Sequence, residues 1–201
     1  GLLMQHCRNA KAVLHCSSTG VYQPAGLHQL AETDALGDNH RVMMETYSIA
    51  KIAAEAVVRT SARMFDIPTT IARLNVPYGD NGGWPAFHLM MIEAGQAVPV
   101  HPERPNRFNP IHEDDIIRMI PGLLAAARVP ATIVNWGGVE AVDLEEWCAF
   151  LAELVGTDAT FVETDGTIGG VTIDTTKMLD LVGPTEVHWQ DGLRRMIAAR
   201  A

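Results

Sequence analysis

Two patterns of apolar and polar positions alternate along the chain. Short apolar or β-branched runs read as strands: Lys11-Ala12-Val13-Leu14-His15-Cys16, Thr69-Thr70-Ile71-Ala72-Arg73-Leu74, Ala131-Thr132-Ile133-Val134-Asn135, and a shorter one from Ala159 to Glu163. Longer segments with helical character lie between them. Leu2 to Cys7 resembles the tail of a helix, and an alanine-rich helix is expected from Glu45 to Phe65, closed by Asp66-Ile67-Pro68. Trp84 to Gly95 has Pro near its first turn and Gly at its end. Glu113-Asp114-Asp115 place carboxylates at a helix start, and Pro121-Gly122 predict a kink or restart within that helix. Asp143 and Glu146 form a capping box for a helix through Val155. Asp174 is expected to cap a short helix carrying Lys177, and the last helix runs from Trp189 to Ala199.

Strands alternating with helices imply an α/β fold with a parallel sheet. In such sheets ligands bind at the C-terminal ends of strands. Two of these ends carry polar, turn-forming residues: Ser17-Ser18-Thr19-Gly20 after the first strand and Asn75-Val76-Pro77-Tyr78-Gly79 after the second. Gln23 to Asn39 reads as a polar loop, and Val98 to Pro110 as extended, irregular backbone.

The chemistry is densest at Tyr47-Ser48-Ile49-Ala50-Lys51. Residues four apart on a helix share a face, so the phenol and the ammonium project together. A nearby cation is expected to favour tyrosinate, which makes Tyr47 a candidate general acid/base acting on an alcohol or carbonyl.

Composition narrows the function further. At 201 residues and 47% hydrophobic, the chain can bury a core as one domain with a small lobe. A net charge of −9 and no basic run argue against nucleic acid. Three cysteines, Cys7, Cys16 and Cys148, form no CxxC pair and read as free thiols in a reducing, cytoplasmic setting. The eight histidines have no metal-ligand spacing, so no metal is expected. No apolar run is long enough to span a membrane.

Four segments in order carry a resemblance. Ser17-Ser18-Thr19-Gly20-Val21-Tyr22 is similar to SSxxVY, Tyr47 to Lys51 matches YxxxK, Arg73 to Gly79 resembles RxxNxYG, and Arg107 to Asp115 resembles RDFIHVDD. Together they resemble the extended short-chain dehydrogenases/reductases, the NAD-dependent epimerase/dehydratase family. The resemblance implies a Rossmann-like doubly wound parallel sheet with a small C-terminal substrate lobe. Residues 1–80 and 110–136 would form the dinucleotide-fold core, and 81–109 and 137–201 the substrate lobe. It implies Ser18, Tyr47 and Lys51 as catalytic, with Ser17, Tyr47, Lys51, Leu74, Asn75 and Val76 at the cofactor. Ser18, Thr19, Asn75 and Arg107 would meet the substrate. Asn75 lies one residue before the family's asparagine position, which Val76 occupies.

NAD or NADP would be the cofactor, and the substrate a secondary alcohol or ketone, either of a nucleotide sugar or of a simple ketone or hydroxysteroid type. A homodimer is a further expectation, and a non-catalytic dinucleotide-binding sensor is the alternative from another class. No glycine-rich strand-to-helix turn precedes these motifs. The resemblance therefore covers the family's C-terminal two-thirds, and the first half of the sheet, on the order of 100 residues at ~30 per βα unit, is expected to lie upstream.

Overall fold

The computed structural model describes residues 1–200. In chain order the first elements are α1 (Leu2–His6), β1 (Val13–Ser18), α2 (Tyr47–Phe65) and β2 (Thr69–Leu74), then β3 (Pro77–Gly79), β4 (Gly82–Gly83) and α3 (Trp84–Glu93). Next come β5 (Val98–Val100), β6 (Arg107–Phe108), β7 (Ile111–His112), α4 (Glu113–Ala125) and β8 (Thr132–Trp136). The chain closes with β9 (Val142–Asp143), α5 (Leu144–Val155), β10 (Phe161–Glu163), α6 (Thr176–Val182) and α7 (Trp189–Ala198).

The organising layer is a parallel sheet in the order β1-β2-β8. Its side chains alternate between two faces, as a period of two requires. Val13, Ile71 and Ile133 pack with Met4, Val58 and Ala62 of α1 and α2. Their neighbours Leu14, Ala72 and Val134 pack with Met119, Leu123 and Met178 of α4 and α6. Helices therefore cover both faces, which is why these strands read as continuous apolar runs.

The second lobe has its own core, in which Leu89, Phe108, Trp147, Leu151, Val171 and Leu193 are buried together. Only short strand pairs tie it: β5 with β10, β6 with β9, and β3 between β4 and β7. One late element leaves this lobe: α6 lies against α4 and β8, on the sheet.

Several elements depart from their sequence-based boundaries. β1 runs on through Ser18, because Ser17 and Ser18 still pair with Arg73 and Leu74. α2 starts at Tyr47 rather than Glu45, since the Tyr47 amide closes a turn on the Met44 carbonyl. It ends at Asp66, which takes the left-handed conformation (φ 52°) that stops a helix. The helix does not restart at Pro121-Gly122: α4 passes through both residues. The carbonyl that Pro121 cannot engage belongs to Ile117, an exposed residue that water can satisfy. Gly122 is needed for contact: a Cβ there would sit 2.8 Å from Val182 Cγ1 on α6. The capping box of α5 is also absent, because the Asp143 side chain binds Arg107 instead. Asp174 accepts the Thr176 amide (2.8 Å), but from one residue outside the cap position.

Candidate active site

A polar row crosses the sheet on the face that meets α2. Ser17, Arg73 and Asn135 are direct neighbours on β1, β2 and β8. Glu55 descends from α2 onto this row. It accepts from Ser17 Oγ (2.5 Å), from Arg73 Nε (3.0 Å) and from Arg73 Nη2 (2.8 Å). Both charged side chains are only 2% exposed, so each neutralises a charge that could not be buried alone. The Tyr22 ring lies 4.8 Å from the Arg73 guanidinium, and its hydroxyl donates to Asn135 Oδ1 (2.5 Å). Burial pushes the Tyr22 phenol up to about 12, which keeps it a neutral donor. This network holds the first helical turns of α2 at a fixed height above the end of β1.

Tyr47, Lys51 and Glu55 follow one another at four-residue spacing, so the stripe anchored by Glu55 presents Lys51 and Tyr47 beyond the sheet. There a cleft of about 660 Å³ opens, lined by Ser18, His40, Tyr47, Lys51, Leu74 and Val76 on its near side. Lys51 Nζ sits 5.7 Å from the centroid of the Tyr47 ring and donates to the Cys16 carbonyl (3.3 Å). Ser18 Oγ accepts the Gly20 amide (3.0 Å), which leaves its own proton free to donate. Among the described residues neither the Tyr47 hydroxyl nor the other two Lys51 N–H groups have a protein partner. His40 stacks on Tyr47 at 5.3 Å and 20°, and its Nδ1 is bonded to Asn39 Oδ1. Burial pushes His40 down to about 4, so the ring against the phenol is neutral. Gly20 is what permits this stack, since a Cβ there would meet His40 Nδ1 at 3.0 Å and Tyr47 Cε1 at 3.1 Å.

Other candidates have different duties. Ser17 also lines the cleft, but its hydroxyl proton is spent on Glu55. Asn75 uses its whole amide internally. Nδ2 donates to Thr19 Oγ1 and the Val171 carbonyl, and Oδ1 accepts from the Val76 and Asn109 amides. Asn75 and Thr19 therefore build the cleft floor, and the Asn75 side chain has no group left for a ligand. Arg107, expected at the substrate, is outside the cleft lining and grips Asp143 through Nε (2.7 Å) and Nη2 (3.0 Å). Counted back from Ile111-His112, the RDFIHVDD pattern puts its arginine at Phe108, and it is Phe108 that lines the cleft.

The far wall went unread in the sequence. It comprises Trp84, Phe87, His88 and Met91 from α3, with Met43, Phe108 and Ile168. Its one sequence signal is the i, i+3, i+4, i+7 spacing of the four α3 residues, which read equally well as core.

The family model for the NAD dependent epimerase/dehydratase family matches residues 2–137, which hold all four motif segments. The chain belongs to this family. Solved structures share the family fold. One is a UDP-glucuronic acid 4-epimerase from Bacillus cereus, solved with NAD and a UDP-sugar (TM-score 0.82, 18% identity, 98% of this chain covered). Another is a dTDP-glucose 4,6-dehydratase from Streptomyces venezuelae with NAD bound (TM-score 0.80, 23% identity, 98% of this chain and 62% of that one). A third is a UDP-glucose 4-epimerase from Thermotoga maritima (TM-score 0.78, 19% identity, 99% of this chain and 67% of that one). The chain spans 64% of the length of the Bacillus cereus epimerase. No curated protein matches the sequence.

The unpartnered Tyr47 hydroxyl and Lys51 N–H groups, beside the C-terminal ends of β1 and β2, fit the ribosyl-nicotinamide end of the family's cofactor. No helix among the described residues is long and apolar enough to cross a membrane, and no cluster of metal-ligating side chains occurs among them.

Proposed function

We propose that the protein is an NAD(P)-dependent oxidoreductase, epimerase or dehydratase acting at a secondary alcohol or ketone, with Tyr47 as its general acid/base. One observation carries this reading: the Ser18 hydroxyl, the Tyr47 hydroxyl and the Lys51 ammonium all line one cleft, with donor capacity that no protein group consumes. A bound nicotinamide dinucleotide supplies the hydride acceptor or donor. Ser18 donates a hydrogen bond to the substrate oxygen and fixes its position. Tyr47 passes a proton to or from that same oxygen, and Lys51 places positive charge beside the phenolate left behind. Lys51's two spare N–H groups would hold the ribose hydroxyls. The resemblance also supports a homodimer through α2, where Ile49, Val57 and Met64 are exposed.

The test is Tyr47→Phe in the native gene product. The substitution removes one unpartnered hydroxyl, so the melting curve should be unchanged. Turnover should fall by roughly 10²–10⁴-fold, the usual scale of acid/base catalysis. Turnover that survives the substitution would reject the mechanism.

Nucleotide sugars are supported as substrates by the likeness to enzymes solved with UDP-sugars and to a dTDP-glucose 4,6-dehydratase. The simple-ketone reading is supported by the cleft itself, whose lining holds no arginine.

A further inference from the structure

We propose that the far wall of the cleft binds an uncharged substrate with an apolar carbon skeleton and one remote hydrogen-bond acceptor, and that His88 reads that acceptor. The inference rests on the oxidoreductase reading for the reacting alcohol or ketone and specifies what that group is attached to.

Charge is the first argument. A nucleoside diphosphate brings about two negative charges that must be met by cations or converging N–H groups. Lys51 is the one lysine or arginine in the lining, and it stands beside Tyr47, at the reacting end. Arg107 and Arg104, on flanking segments, are engaged elsewhere, the first with Asp143 and the second with Glu145 and Glu163, and Arg41, between His40 and Met43, lies outside the lining. His40 and His88 also line the cleft, but burial pushes each down to about 4, so neither supplies a charge near neutral pH. A diphosphate in this cleft would find a single cation in the lining, and that one at the reacting end.

Shape is the second argument. Trp84 lies edge-on to Phe108 (centroids 5.0 Å apart) and to Trp147 (5.9 Å), so the wall is a braced aromatic surface. With Phe87, Met91 and Ile168 it offers rings and polarisable sulfur to a hydrocarbon skeleton. A volume of about 660 Å³ falls within the range of small-molecule pockets.

His88 is the exception in this wall. It is 3% exposed, and its Nδ1 accepts the Trp147 indole N–H at 3.0 Å. An indole nitrogen only donates, so His88 Nδ1 must carry the lone pair and Nε2 the proton. Nothing among the described residues accepts from Nε2. A fixed donor in apolar surroundings gains most from a ligand acceptor and strongly disfavours a ligand without one.

Calorimetric titration of the native gene product tests this with 4-phenylcyclohexanone, its three methoxyphenyl isomers (ortho, meta and para), UDP-glucose and dTDP-glucose, each with NADH or NADPH. The ketones should bind more tightly than either nucleotide sugar. At least one methoxy isomer should bind about tenfold more tightly than the parent, as expected for a hydrogen bond made in a buried site. His88→Phe should erase that gain, read as each isomer's affinity relative to the parent's in the same variant, and His88→Gln, which keeps a donor, should retain part of it. The isomer comparison on the unaltered protein stands even if a variant fails to fold. Tighter binding of a nucleotide sugar overturns the substrate class, and three isomers no better than the parent overturn the role of His88. Ketone binding without NAD(P)H turnover supports the substrate class and removes the oxidoreductase reading. Turnover of nucleotide sugars alone does the reverse.

Discussion

Replacing Glu55 with Gln changes one charged atom group and leaves the shape of the side chain almost intact. The consequence follows from where that group lies. The Arg73 guanidinium is 2% exposed and makes two of its hydrogen bonds to the Glu55 carboxylate, at 3.0 and 2.8 Å. The amide would turn an N–H toward a guanidinium that can only donate, and would leave its positive charge buried without a partner. Breaking one side of a buried ion pair typically costs ~3–5 kcal/mol. For a domain of this size that lowers the melting temperature by roughly 6–20 °C, at about 2–4 °C per kcal/mol. Urea unfolding followed by circular dichroism gives the free energy, and scanning calorimetry the temperature. The paired variant Glu55→Leu with Arg73→Met removes both charges and should recover much of the loss, so the two sites should couple strongly in a double-mutant cycle. A single variant that loses less than about 1 kcal/mol, within the range of exposed pairs, would refute the claim that this pair secures α2 to the sheet.

Two further outcomes follow from the site. His40 and His88 are each pushed down to about 4 by burial, below the ordinary histidine value of 6.5. The unfolded chain therefore binds more protons between those values, so stability is full above about 6.5 and is lost as the pH falls toward 4. The nearly sealed His88 alone accounts for roughly 3 kcal/mol. Urea midpoints measured from pH 7 to pH 4 should show this, and a flat profile between 6.5 and 4.5 would contradict it. Gly20→Ala should push the new methyl into the His40 and Tyr47 rings, 3.0–3.1 Å away. Its effect should be a fall in kcat on the order of 10–10²-fold with little change in urea midpoint, read from parallel kinetics and unfolding.

The sheet strands were legible because both faces are covered, so their β-branched runs could not be confused with exposed loops. The Tyr47–Lys51 face was legible because helical spacing alone brings the two side chains together. What escaped were positions whose role depends on a distant partner. Nothing local to Arg73 says that its guanidinium is consumed by a carboxylate on α2. Arg107 looked like a ligand group until Asp143, 36 residues later, was found beside it. Asn75 looked like a ligand contact but splices three segments through Thr19, Asn109 and Val171. Pro121 did not end its helix, and the carbonyl it cannot engage belongs to Ile117, an exposed residue. The far wall escaped for a related reason: Met43, Trp84, Phe108 and Ile168 converge from four separate stretches, and an apolar side chain does not announce whether it borders a core or a cavity.

The two sides of the cleft are held in place by unlike means. Behind Tyr47 stands a charged lock set into the sheet, where a change of one atom is heavily penalised. Behind Trp84 and Phe108 stands ordinary aromatic and aliphatic packing, which accommodates swaps of similar volume at little cost. Variation, natural or imposed, can therefore resculpt what the cleft admits while leaving the Tyr47 side untouched, and new binding preferences should arise first along α3 and at Phe108.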